Sequence, residues 1–343
     1  MNKKFSFVAG WIMVVLIPIL HASQNEKIVW PSPPDPARFE YVGSITKADD
    51  LEITRGFWKK VWDFIAGNEE KILAAPFGVH VDKGGKLYVA DGGNQALFIF
   101  DLAENKMDVI EGFGDQKFIS PVDVATDDAG NIYVSDSVAG VISVFDLNKK
   151  FLYTIGGGEV KISRPTGIAI NSRLNRIYVS DTLGGAILVF SLDGKLVTTI
   201  GTEGAGEGEF SRPTYLALDK SGNIYVADSM NHRIQVLDPD GKFIRMFGKL
   251  GDQIGNFGSP RGIALDRDGN IYVADSLFHA VQIFSPIGEL LLSIGHFGDG
   301  KGEFSSPKDI AMDANDTLYI ADFYNMRVQK LKKLPNPENR ELP

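Results

Sequence analysis

The sequence predicts an all-β fold, a six-bladed β-propeller of four-stranded antiparallel blades. An N-terminal strand closes the ring, and one short amphipathic helix is inserted before blade 1. Three observations predict it. The phrase "NIYVADS" at 223–229 returns at 270–276, and "NIYVSDS" stands at 131–137. The aspartates closing this phrase and its variants are Asp91, Asp136, Asp181, Asp228, Asp275 and Asp322, at gaps of 45, 45, 47, 47 and 47 residues. A period in this range marks a repeat architecture. Finally, 343 residues with 44% apolar content suffice for a sizeable core.

The N-terminus comes first. "MNKK" is basic, residues 5–20 are an uncharged apolar run, and Ala22 is a small residue ahead of a polar stretch. This reads as a secretory signal over 1–22, placing the mature chain in the periplasm or outside the cell. The alternative is an uncleaved membrane anchor, although the run is shorter than the roughly 20 residues of a spanning helix. Removing residues 1–22 takes away two lysines and no acid, so the formal charge moves from −9 to −11. A chain this acidic is a poor general partner for nucleic acid. There is no cysteine, which excludes disulfides, thiolate metal sites and a lipidated N-terminal cysteine.

Residues 23–39, with "WPSPPDP", read as a stiff extended lead-in. "EYVGSI" at 40–45 resembles "ELLLSI" at 289–294, the last strand of a repeat. It is assigned to complete the last blade, which lacks a fourth strand of its own and would otherwise leave open edges. Residues 46–75 are longer than the other connections. Within them Phe57, Val61 and Ile65, and likewise Trp58 and Trp62, fall at helical spacing, predicting an amphipathic helix at about 56–66. That helix is either a lid over the channel mouth or an apolar anchor for a partner or a membrane surface.

The repeats occupy 75–334, and the polar stretch 335–343 is expected to be a loose tail. The copy at 213–248 displays the unit: "PTYLALD" as first strand, a turn at "KSGN", "IYVAD", a loop at "SMNH", "RIQVLD", a turn at "PDGK", then "FIRMFG". Each first strand opens on proline, at Pro76, Pro121, Pro165, Pro213, Pro260 and Pro307, a position where no ladder donor is lost. The unit resembles the NHL repeat, with Tyr215 standing in a glycine position of the blade at 213–237. The resemblance implies a six-bladed propeller and leaves activity open, because propellers of this type serve as scaffolds, RNA binders, sensor ectodomains and lyases.

A feature written into every blade is most economically structural, so the six aspartates are read as caps of the following loops. "GAGEGEF" and "GDGKGEF" lie between strands, lack the helix that holds a phosphate, and are read as flexible connections. His80 replaces the alanine found at Ala125, Ala169, Ala217 and Ala264, near the axis. It is a hydrogen-bonded core histidine or an axial catalytic group. The lyases that resemble this repeat use a histidine-bound metal near the axis, and a single axial histidine departs from that pattern. His232 and His279 occupy equivalent loops, with no third metal ligand evident, so no metal or other cofactor is assigned.

The site is expected where blades differ. Arg164 and Arg212 precede their prolines, and Arg261 and Lys308 follow theirs. Tyr215, His232, Phe278, His279 and Tyr324 add aromatic and hydrogen-bonding groups on neighbouring loops. Either these cations pair with Asp123, Asp309 or the strand-ending aspartates, or they form a cationic mouth for an anionic ligand. The function expected is an exported, monomeric binding or scaffold module for a protein or glycan. The alternative is an axial-site lyase or hydrolase, possibly metal-dependent.

Overall fold

The computed structural model describes residues 27–47, 50 and 71–335. Six sheets surround a central axis. Blade 4 is typical, with strands Pro213–Leu218, Ile224–Asp228, Arg233–Leu237 and Phe243–Phe247 paired antiparallel in that order. The short strands and tight turns follow from composition: β-branched and aromatic residues fill the strands, while Gly222 and Gly241 take positive φ in the turns.

The innermost strands open on the six prolines, and each proline faces its strand-ending aspartate, as Pro260 faces Asp275. Inner strands of consecutive blades touch all the way round, including Pro307–Met312 of blade 6 against Pro76–Val81 of blade 1. The core accordingly divides into one apolar cluster per blade interface. Ile263, Val273 and Phe284 pack with Tyr225 and Val236 between blades 4 and 5, for example.

In blade 6, Phe39–Ile45 lies outside Arg327–Lys333, antiparallel, with Tyr41 opposite Leu331 and Ile45 opposite Val328. Phe39 and Ile45 are buried, on the two sides of the blade. Val29–Trp30, within the lead-in, adds a fifth strand beyond it. Residues 46–75 leave and return at one point: Lys47 bridges to Ile72, and Leu73 N donates to Thr46 O at 2.8 Å. The helix expected at about 56–66, with Trp58 and Trp62, lies outside the described residues, as do the signal and most of the tail. Among the described residues no helix is long and apolar enough to cross a membrane.

Candidate functional site

The repeated aspartates are held by buried hydrogen bonds, in four blades from main-chain amides. Asp275 is 0% exposed. It accepts from the amides of Gly258, Ser259, Leu277 and Phe278 at 2.7–3.1 Å, tying the entry of its blade to the loop that follows it. Asp91, Asp136 and Asp181 repeat the pattern. In blades 4 and 6 an arginine replaces some of these amides: Arg233, buried, and Arg327, half-buried, each donate Nε at 2.8 Å, to Asp228 and Asp322. The same arginines hold carbonyls of the two glycine-rich connections. Glu209 accepts from Gly206 N, and Glu303 from Gly300 N. The expectation that these connections are flexible is therefore corrected: they are fastened at both ends, and their own glutamates occupy the amides a phosphate would use.

The third residues of the inner strands stand in register around the ring, where neighbouring inner strands approach closely. These residues are Gly78, Asp123, Gly167, Tyr215, Gly262 and Asp309. The glycines are required by close approach, since a Cβ on Gly167 would fall 2.5 Å from Thr214 O. Tyr215 was expected on a neighbouring loop. It instead stands inside a strand, 4% exposed, because a ring placed where other blades have glycine can only point across the channel. It packs with Val122 and Phe77 from the far side of the ring.

Tyr215 thereby separates two cavities. The lower one, about 260 Å³, is lined by His80, Asp123, Asp309 and the strand-end apolar residues. Asp123 accepts from Ile168 N and Val124 N, and Asp309 from Val79 N. Burial pushes both carboxyls well above the usual range, Asp309 further through its proximity to Asp123. Burial also lowers His80 to about 4, so its ring is neutral, and Nε2 shares a hydrogen bond with Thr126 Oγ1 at 2.8 Å.

The upper cavity, about 450 Å³, is the channel mouth, and Arg164, Arg212, Arg261 and Lys308 all line it. The ion pairs weighed for these cations with Asp123, Asp309 or the strand-ending aspartates are not formed among the described residues. Lys308 Nζ donates to Ser306 Oγ at 2.9 Å and lies 5.1 Å from the Phe323 ring centre. Burial, with the positive charge of Arg261, brings Lys308 down to about 8. Burial and Arg164 likewise lower Arg261, although a guanidinium stays charged. Phe77, Val122, Leu183 and Met230 add apolar lining to the same cavity.

The remaining expected residues do not line it. His232 and His279 sit in left-handed turns, where Nδ1 of His232 bonds Gly258 O and Nδ1 of His279 accepts from Ser306 N. They stitch blades together. Phe278 is half-buried over Gly258, and Tyr324 is 67% exposed beside Phe323. Sequence reasoning missed Phe323 and the axial role of Asp123 and Asp309. The signal for the carboxylates was available: they share a column with Tyr215 and three glycines. Among the described residues no group of three or more metal-ligating side chains converges. A depression of about 440 Å³ on the opposite face is lined by Asp219, Asp266 and Asp313. Their carboxylates already cap the turn amides.

Family comparisons agree with this architecture. A family described as a six-bladed β-propeller matches residues 158–247, and the NHL repeat matches 257–284 and 304–331. The chain is a six-bladed β-propeller carrying NHL repeats. No curated protein matches it. Among solved structures it is similar to a catalytically inactive virginiamycin B lyase from Staphylococcus aureus with quinupristin. There the identity is 15%, the TM-score 0.56, and the match covers 76% of this chain and 95% of that one. A Bacteroides thetaiotaomicron protein of unknown function gives 15% identity and a TM-score of 0.60, covering 76% and 70%. Kuenenia stuttgartiensis hydrazine synthase gives 14% and 0.56, covering 78% and 98%. At such identities the likeness is one of fold.

Proposed function

We propose that this propeller is an extracytoplasmic binding module that receives an anionic group of a protein or glycan partner at its channel mouth. One observation carries the reading: four cations line one cavity without a carboxylate partner among the described residues. Half-buried positive charge left unpaired is costly in the free protein, and a partner's carboxylates would relieve that cost. Export is part of the reading, supported by the basic start, apolar run and Ala22 of residues 1–22. The lyase alternative needs an acid–base group at the mouth. Lys308, brought down to about 8, is the group at the mouth that could take that role, since burial holds the Tyr215 hydroxyl neutral and Asp123, Asp309 and His80 line the lower cavity. Arg212→Glu combined with Arg261→Glu is expected to abolish capture of the native envelope partner, with wild-type capture falling steeply as salt rises and the melting temperature little changed. Unchanged capture by the double variant would remove the mouth as the binding face.

A further inference from the structure

Arg261 is half-buried, lines the mouth cavity, and spends none of its side-chain donors on the described residues. Its Nε is sealed from solvent without a partner, as is the hydroxyl of Tyr215 beneath it. The terminal guanidinium nitrogens are therefore the donors a ligand can reach. They form a planar fork, a geometry that suits a carboxylate. Lys308, on the next blade, lies close enough for Arg261 to lower its basicity, so two cations share the deep part of the cavity. Arg164 and Arg212 are exposed at its rim.

Two further features narrow the ligand. The cavity is blind, because the Tyr215 ring spans the channel to Val122 and Phe77. A blind cavity takes the end of a chain rather than its middle. Phe77 and Val122, on blades 1 and 2, make its lining apolar there, while the cations stand on blades 3 to 6. The end group must therefore combine a carboxylate with an apolar substituent beside it, and a further anion within reach of the rim suits the remaining charge. The volume, about 450 Å³, is that of a pocket for a few residues, not a folded domain.

Resting on the anionic-mouth reading, we propose that the cavity holds the free C-terminus of a partner polypeptide. Its terminal carboxylate sits on the fork of Arg261 with Lys308 alongside. Its last side chain lies against Phe77 and Val122, and an acidic residue farther back meets Arg164 and Arg212. The probe is the peptide Ac-Glu-Ala-Phe with a free carboxylate, titrated calorimetrically into the full chain beside its C-terminal amide and a galacturonate trisaccharide. The free acid is expected to bind and the amide to bind about tenfold or more weakly, the loss of a charge-assisted pair. Arg261→Lys keeps the charge but not the fork and is expected to weaken the acid about tenfold while leaving the amide unchanged; Arg261→Met is expected to abolish the difference between them. Equal binding of acid and amide would overturn the proposal. So would tighter binding of the trisaccharide that displaces the peptide, although the anionic mouth would then stand with a glycan as its occupant. Binding of neither probe, together with partner capture insensitive to the Arg212 and Arg261 substitutions, would remove both readings.

Discussion

Asp275 is bonded to four main-chain amides from two loops, and its side chain is closed to solvent. Replacing it with alanine strands those donors where water enters poorly. Each such donor costs about 1–3 kcal/mol, so Asp275→Ala is expected to destabilise the propeller by about 3 kcal/mol or more. Urea unfolding followed by circular dichroism measures this, and a loss under about 1 kcal/mol would show that water replaces the carboxylate. The capping role was legible because it recurs six times in register. Arg233 shows the limit of that logic. It opens the third strand of blade 4, yet its partners Ala205 O, Gly206 O and Glu209 O lie 24–28 residues back in sequence. Its own strand does not show which carbonyls it will reach.

At the scale of the element, the outer strand of blade 6 followed from a deficit. "RVQKLKKL" runs into proline with no fourth strand, while "EYVGSI" at the other end has the right pattern without a blade. The main chain of Phe39–Ile45 pairs with Arg327–Lys333 through a register shift between Tyr41 and Gly43, where Gly43 has φ 149°. The sequence did not announce that bulge, because one extra residue leaves alternation readable on either side. The added strand Val29–Trp30 was also hidden, since a proline-rich stretch reads as unpaired. Deleting residues 23–46 would uncover a strand edge and remove the buried Phe39 and Ile45, each worth about 1.5–3 kcal/mol of burial. The expected result is aggregation on size-exclusion chromatography and a markedly lower melting temperature. A monomeric deletion variant with unchanged melting would show that five complete blades and one three-stranded blade suffice.

For the whole molecule, six blades meeting on one axis turn single-residue differences into layers: cations at the mouth, Tyr215 with the Asp123 and Asp309 carboxyls at the neck, His80 below. The cations were legible by laying the repeats over one another. The neck was not, because which residues face each other across a closed ring depends on blade geometry that no single repeat contains. The layers also impose a pH response, with opposite signs at the neck and beneath it. Asp123 rises from 3.8 to about 7 through burial, so the folded chain holds a proton that the unfolded chain sheds. Its contribution to stability is complete below about pH 4 and is lost as pH rises through 7. His80 falls from 6.5 to about 4, so its contribution is present above pH 6.5 and is lost as pH falls towards 4. Removing the histidine isolates the carboxyls. In a His80→Ala background, stability by urea unfolding is expected to increase on going from pH 8 to pH 5, by about 2 kcal/mol from Asp123 and by a further amount from Asp309. Adding Asp123→Asn, which cannot ionise, is expected to reduce that increase, with Asp309 supplying the remainder, while leaving the variant folded at both pH values. If the two proteins respond identically to pH, Asp123 is ionised in the folded state, and the Tyr215 layer carries negative charge beneath the cationic mouth.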